Sequence, residues 1–499
     1  MRTWTGYLAM CLGMFMAILD IQIVASSLPD IQIALRIPQD QLSWLQTSYL
    51  IAEVIAIPLT GWLVRLMSLR GLFVAADIGF TLASLGCASS FDLAPLLIFR
   101  IIQGFCGGAL IPVVFTSVFT MFPERSRLLA TTVGGVFAML APTVGPVVGG
   151  YITETYSWHW LFLINLGPGV AVAIVAFRFV AAEPPDWSLW KRLDYLSLFL
   201  ISVCLASLEL GLKEGPTHHW TGWRVLGLLA TSLMTGFVVI RRCTTHRDAI
   251  IDLRCFADRR FRVSCFYSFI LGMGLYGAVY ILPLYLAFVR QHTPLEIGTV
   301  MIVMGAAQLV SAPFAALAEK RLNRVWLTGF GFALFAAGLF ANGFMTQDTD
   351  APGLFWPQIL RGAALLFCLL PTTTIALERQ PPELVASASG LFNLQRNLGG
   401  AIGIALIDTI LEQRVPAHIA ALVERLQAGD RDAARSVGLP LTNFHNVPLG
   451  PIDEATRAQV ASLVEQAALV LSFNEAWLVV GGLFAVSLLA LPLLRRVGT

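Results

Sequence analysis

The chain has 499 residues, 57% of them hydrophobic and only 13% charged, with a formal net charge of +2. Soluble domains carry about 25% charged residues, so this chain cannot cover itself with a water-compatible surface and must use lipid as part of its solvent. The near-neutral balance, with no basic stripe apart from the loops, argues against nucleic acid as a partner.

A helix of about 20 mostly apolar residues spans a bilayer. Such runs occur in order at 7–28, 44–64, 72–90, 94–121, 128–153 and 160–181, then at 195–212 and 222–240. Six more follow at 263–288, 296–318, 325–344, 354–377, 385–411 and 475–494. The predicted class is an all-α polytopic membrane protein with fourteen transmembrane helices. The first run follows Met-Arg-Thr-Trp and lacks a small-residue cleavage site, so it reads as a spanner and not as a removed leader.

Lysine and arginine sort to one side of this topology. Arg65, Arg70, Arg125, Arg127, Lys191, Arg241, Arg242, Lys320, Arg321 and Arg324 share a side, whereas the short opposite loops hold only Arg36, Lys213, Arg224 and Arg290. The positive-inside rule then places both termini in the cytoplasm. The one sizeable polar segment, 412–474, falls outside. Its stretches from Ile419 and from Val460 carry apolar residues at helical spacing. That pattern fits two surface helices capping the bundle, and it also fits a docking surface for a periplasmic partner.

The chain echoes itself. Gly104, Pro112 and Pro123-Glu124 are matched by Gly362, Pro371 and Pro382-Glu383 at offsets of 258, 259 and 259 residues, each set following an intramembrane arginine, Arg100 or Arg361. Duplicated halves holding a substrate between them are an architecture of secondary transporters. The expected organisation is a six-helix bundle at 1–181, a linker with two additional spanners at 182–262, and a second six-helix bundle at 263–499 that includes the loop 412–474.

Charges inside spanners cost about 2.5–3.5 kcal/mol each at mid-membrane and carry a functional hypothesis by default. Asp20, Glu53, Asp77, Arg100, Arg361 and Arg396 all fall inside predicted spanners. Moving a carboxyl between two aqueous exposures, or bringing a cation beside it, changes its hold on a proton, which is the physical basis of proton-coupled exchange. Asp20 and Glu53 are the candidates for that role, with Arg100 as modulator; static salt bridges fixing helix packing are the bland alternative. Asp77 reads as structural. Gln22, Gln103, Arg361 and Arg396 are candidate substrate contacts.

The run Ala141-Pro-Thr-Val-Gly-Pro-Val-Val-Gly-Gly150 is the most distinctive. Pro142 and Pro146 remove backbone donors and kink a helix. Gly145, Gly149 and Gly150 let a neighbour approach closely. The eight cysteines form no Cys-x-x-Cys, and the seven histidines are scattered, so neither a disulfide framework nor a metal site is expected. No cofactor is expected. No metalloprotease, nucleophile-elbow or phosphate-loop motif is present, which argues against an enzyme and against direct ATP drive.

Several of these runs resemble a known family. Leu19-Asp-Ile-Gln-Ile-Val-Ala-Ser-Ser-Leu-Pro29, Arg100-Ile-Ile-Gln-Gly104, Gly145-Pro-x-x-Gly-Gly150, Trp158-His-Trp-Leu-Phe-Leu-Ile-Asn165 and Asn474-Glu475 are similar to motifs of the major facilitator superfamily. Within it, the chain resembles the fourteen-spanner drug:proton antiporters of the EmrB/QacA type, and its long loop before the last spanner resembles the EmrB branch. Gly61-Trp-Leu-Val-Arg-Leu-Met-Ser-Leu-Arg-Gly71 departs from the family's loop pattern, with Arg65 at the usual acidic position and Ser68 at a glycine. The polar residues that usually follow the first-helix acid are altered to Ile21 and Gln22.

The resemblance implies proton-coupled efflux of amphipathic compounds across a bacterial inner membrane by alternating access of two six-helix bundles. It also implies a periplasmic adaptor (a membrane fusion protein) and an outer-membrane channel as partners. In that scheme Asp20, Glu53 and Arg100 handle the proton, and Gly145, Pro146, Gly149 and Gly150 permit rocking. Export of a specific metabolite, siderophore or lipid by the same fold is the alternative.

Overall fold

A computed structural model of the chain describes residues 2–181, 184–192, 194–245, 250–446 and 454–495. Fourteen long helices organise it: α1 Arg2–Ser26, α2 Trp44–Met67, α3 Leu69–Ala88, α4 Leu93–Met121, α5 Glu124–Thr155, α6 Trp160–Phe179, α7 Tyr195–Glu214 and α8 Trp223–Thr245. The remainder are α9 Arg259–Phe288, α10 Pro294–Arg321, α11 Arg324–Ala341, α12 Ala351–Leu377, α13 Pro382–Gln427 and α14 Glu454–Ser487. In lipid every backbone polar group must be satisfied within the chain, which is why the spans are helices. Their exposed first turns are closed by side chains. Asp92 caps α4, Asp258 caps α9, Asp350 caps α12, and Thr293 with Glu296 forms a reciprocal capping box at α10.

Thirteen described helices are long and apolar enough to cross a membrane by composition; α13 is not among them. Its midsection carries Asn393, Gln395, Arg396 and Asn397, and the fold hides Asn393 and Arg396 from lipid by packing α13 against α2, α4 and α9.

Helices α1 to α6 pack on one another, as do α9 to α14. The two sets meet where α5 lies along α10 and α2 lies along α13. The sequence echo has a structural counterpart. Pro112 and Pro371 both lie inside their helices, and Glu124 and Glu383 both occupy the first turn of the next helix. Helices α7 and α8 pair with each other, and α7 also packs on α2 and α13. Trp220, in their connection, donates its indole N–H to Thr409 Oγ1 on α13 at 2.9 Å.

The two amphipathic stretches within 412–474 lie in helices longer than themselves. Helix α13 runs 46 residues without a break to Gln427, and α14 already begins at Glu454. The amphipathic stretches are extensions of these two helices. Their apolar faces, with Leu422, Leu426, Val464, Ala467 and Ala468, close on Ala433, Ala434, Val437 and Phe444 as a second small core. The helical periodicity seen from Ile419 and Val460 is therefore used up in packing the two extensions together.

Candidate functional site

Five helices of the first half, α1, α2, α3, α4 and α6, contribute to one buried cluster around a carboxylate. Asp20 of α1 and Arg100 of α4 are both fully buried, with Arg100 Nη1 2.5 Å from Asp20 Oδ2. The other carboxylate oxygen accepts two amide donors, Gln103 Nε2 at 3.0 Å and Asn165 Nδ2 at 2.8 Å. Gln103 lies three residues after Arg100, on the same helical face. Its Oε1 accepts from Arg100 Nη1 at 2.8 Å, while its Nε2 also donates to Ser84 Oγ of α3 at 2.8 Å.

The guanidinium is held from the other side as well. Its Nε donates to the Leu45 carbonyl at 3.1 Å, and its carbon stands 4.4 Å from the centre of the Tyr49 ring. Tyr49 is itself fixed by donating its hydroxyl to the Ala17 carbonyl at 3.0 Å. Only Nη2 of Arg100 lacks a partner. An ion pair this deep is a poor source of net stability, because desolvation offsets most of the attraction. It is, however, a site where adding one proton to the carboxylate removes the charge that anchors the arginine.

Glu53 belongs to a different place. It is buried on α2 at the seam between the halves, where Asn397 Nδ2 of α13 donates to its Oε1 at 3.4 Å. Asn397 Oδ1 accepts the Tyr276 hydroxyl of α9 at 3.2 Å. Arg396, next in the chain, donates to Asn393 Oδ1 at 2.6 Å. Arg361 of α12 is buried over the Trp477 ring, 4.7 Å from its centre, and its Nη1 and Nη2 have no hydrogen-bond partner. Asp77 is fully buried with both carboxylate oxygens unpartnered.

The structure thus joins Asp20, Arg100 and Gln103 in one cluster and Glu53 with the neighbours of Arg396 in another. It does not gather Gln22, Gln103, Arg361 and Arg396 into one pocket. Gln22 packs its Cβ against Gly145, Gln103 is committed to Asp20, and Arg361 faces α14.

This arrangement, two six-helix sets with a buried acid–arginine pair in the first, can be compared with known proteins. Residues 10–404 match the Major Facilitator Superfamily. The chain belongs to that superfamily. It is 39% identical to the colistin resistance protein EmrB of Acinetobacter baumannii, over 83% of this chain and 81% of the relative. It is 29% identical to the multidrug export protein EmrB of Escherichia coli K12, over 96% and 93% of the two chains. The fatty acid resistance protein FarB of Neisseria gonorrhoeae is 28% identical over the same shares. Among solved structures, the human organic anion transporter MFSD10 superposes with a TM-score of 0.58 at 14% identity, covering 97% of this chain and 99% of that one. The proton:xylose symporter XylE gives 0.57 at 12% identity, covering 98% and 94%. These two establish the fold alone.

In this superfamily member the glycine and proline run lies in α5 at the contact with α10. A Cβ on Gly150 would stand 2.9 Å from the backbone of Pro294 and Leu295, and one on Gly298 of α10 would stand 2.5 Å from Val147 Cα. The two backbones touch because neither carries a side chain there. Near the other end, Gly61 of α2 meets Ser387 of α13 in the same way. The halves are in contact at both ends of the bundle.

Sequence reasoning did not place Ser84 or Tyr49 in the site, and it met Asn165 only as part of a motif. Asn165 had a signal, since it closes the Trp158–Asn165 run. Ser84 had none, because a lone serine is ordinary in a membrane helix.

Proposed function

We propose that this protein exports amphipathic compounds across the membrane in exchange for protons, by alternating access of the α1–α6 and α9–α14 bundles. The observation that carries the reading is the fully buried Asp20–Arg100 pair, with Gln103 and Asn165 occupying the second carboxylate oxygen. Protonation of Asp20 releases Arg100, and with it the links that α4 makes to α1 and α2. Glu53, set between α2 and α13, senses the same transition at the seam. The relatives named for multidrug export, colistin resistance and fatty acid resistance support amphipaths as the substrate class. One charge crossing 100 mV supplies about 2.3 kcal/mol before any pH gradient is added, enough to drive useful accumulation.

The protein resides in a bacterial inner membrane with both termini cytoplasmic, following the arginine-rich end of the bundle. The helical extension made by 412–474 then projects into the periplasm, where it meets an adaptor that leads to an outer-membrane channel.

The test is proton movement in proteoliposomes under an imposed pH gradient, with wild type and Asp20→Asn side by side. Proton flux triggered by ethidium in wild type alone is the expected result. A flux that survives Asp20→Asn would remove Asp20 from the coupling. No flux with any amphipath in folded protein would assign the machinery to a single metabolite.

A further inference from the structure

One buried acid of the first half belongs to neither cluster. Asp77 of α3 is fully enclosed, and no described residue gives either of its carboxylate oxygens a hydrogen bond. A Cβ on Gly13 of α1 would stand 3.3 Å from Asp77 Oδ1, 3.3 Å from Val172 of α6 and 2.9 Å from the Phe73 ring. A carboxyl in such apolar surroundings, with neither a cation nor a donor, is tolerated only in its neutral form, with a proton on it. Asp20 is the opposite case, an anion held by Arg100 and two amides.

The two acids share one seam. From the level of Gly13, Asp77 and Val172, seven residues forward along α1 and α3, and seven back along α6, lead to Asp20, Ser84 and Asn165. Seven residues are two turns, about 10 Å along the helix. At that second level Ser84 Oγ accepts from Gln103 at 2.8 Å and from Asn165 at 3.4 Å, the same two amides that hold Asp20. Thr81 lies between, one turn from both Asp77 and Ser84 on the same face of α3. Its hydroxyl donates to the Asp77 carbonyl at 2.8 Å. A Cβ on Gly169 of α6 would collide with Thr81 Oγ1, so the glycine leaves that hydroxyl room within the seam.

Toward the arginine-rich end, the buried Phe73 ring closes the seam below Asp77. Beyond it Arg70, again seven residues from Asp77, donates to the Phe177 carbonyl of α6 at 3.3 Å. The other ionisable groups on the surrounding helices are placed elsewhere or are thiols. Glu53 of α2 turns to Asn397, and Arg178 of α6 lies in that helix's last turn. Cys106 of α4 packs on Gly79, and Cys11 of α1 precedes Gly13 by two residues.

We infer that Asp77 is a second proton-binding site, on the cytoplasmic side of Asp20, and that it takes the proton Asp20 gives up. This rests on the exchange reaction proposed above and supplies its inward exit. One O–H bond breaks at the Asp20 carboxyl, and one forms at the Asp77 carboxylate, whose previous proton has gone to the cytoplasm. Asp20 is left charged and recaptures Arg100. The pairing described above, with Asp20 bound to its cation and Asp77 bound to none, corresponds to the completed transfer.

The test uses the full chain. In lipid nanodiscs at neutral pH, the infrared difference between wild type and Asp77→Asn should contain the carbonyl band of a protonated carboxyl. Carboxylate bands in its place would overturn the site. In proteoliposomes, Asp77→Asn, which has the shape of the neutral acid, should lower ethidium-triggered proton flux about a hundredfold, the lower end of what a positioned proton carrier contributes. Ethidium exchange with equal pH on both sides should continue, because the helices still pack and rock. Flux at the wild-type rate would overturn the transfer. So would joint loss of flux and exchange, which marks a structural acid. If wild type itself moves no protons, the exchange reaction falls, and the infrared band alone decides whether Asp77 holds one.

Discussion

Arg100 and Arg361 hold related positions in the two halves, yet only Arg100 has a carboxylate. The matched segments read Arg100-Ile-Ile-Gln103-Gly104 and Gln358-Ile-Leu-Arg361-Gly362, with arginine and glutamine exchanged. In the first half the pair serves Asp20. In the second, Arg361 has its terminal nitrogens unpartnered beside Trp477, and Gln358 donates to the Val300 carbonyl at 2.9 Å. The two matched segments each bury a cation, and only the first sets it against a carboxylate.

That difference separates coupling from packing. Asp20→Asn should abolish substrate-triggered proton flux and destabilise the protein by about 3–5 kcal/mol, because it leaves Arg100 buried without a counter-charge. Adding Arg100→Met should restore most of the stability and none of the flux. Thermal unfolding in detergent, read alongside liposome flux, checks both. Recovery of flux in the double variant would make the pair a structural strut.

Arg361→Met should behave oppositely to Arg100→Met alone. Replacing a buried guanidinium whose terminal nitrogens lack partners by an apolar chain of similar length removes its desolvation cost, so the melting temperature should hold or rise. A drop of several degrees would show that Arg361 has an anionic partner.

The α5–α10 contact predicts a conformational effect. Gly150→Leu places a side chain where the Leu295 backbone stands, so the two halves should be held apart at that end. Cysteine cross-linking between α5 and α10 near these positions should fall, and turnover should drop by roughly tenfold for each 1.4 kcal/mol of bias. Unchanged cross-linking would mean that this end opens without moving α5 from α10.

At the arginine-rich end, Asp194 ties α7 to α8. Burial pushes its carboxyl up, but the Ser197 hydroxyl and the Arg242 guanidinium, 2.8 Å away, outweigh that and hold it at about 2. A folded value below the unfolded one, about 3.9, gives stability that is full above pH 4 and lost as pH falls toward 2. Asp194→Asn should therefore lower the melting temperature by a few degrees at pH 7, and the gap to wild type should close near pH 2. Both side chains are partly exposed, so the effect is nearer 1 kcal/mol than the full shift. A gap independent of pH would exclude the carboxylate charge as its source.

The extension beyond the bundle offers a cellular test. Arg414 and His418 of α13 both bind Glu475 of α14, at 2.5 Å and 3.0 Å, and fasten the base of the hairpin. Replacing only 428–453 by a short linker leaves this base intact. Resistance in cells should be lost while transport in liposomes persists, if the tip serves an adaptor. Loss of both would show that the small core at Leu422 and Val464 is needed for folding.

Membrane residence, the number of spanners and the arginine asymmetry were legible in the sequence. Each rests on a cost that lipid imposes locally on every residue, whatever its neighbours. The same reasoning exposed Asp20, Glu53 and Arg100 as charges out of place, and Gly145 to Gly150 as a close-packing run. It could not show that Asp20 takes Arg100, Gln103 and Asn165 as partners while Glu53 is left to Asn397 across the seam, because those pairings join residues 80 to 344 positions apart. Nor could it show that the helical stretches at Ile419 and Val460 are continuous with α13 and α14, since apolar spacing marks a helix but not what it is joined to. Hydrophobicity set which segments enter the membrane. Which face of each helix meets which neighbour was decided only in the assembled bundle, where buried charges must find partners and backbones touch only where glycine leaves room.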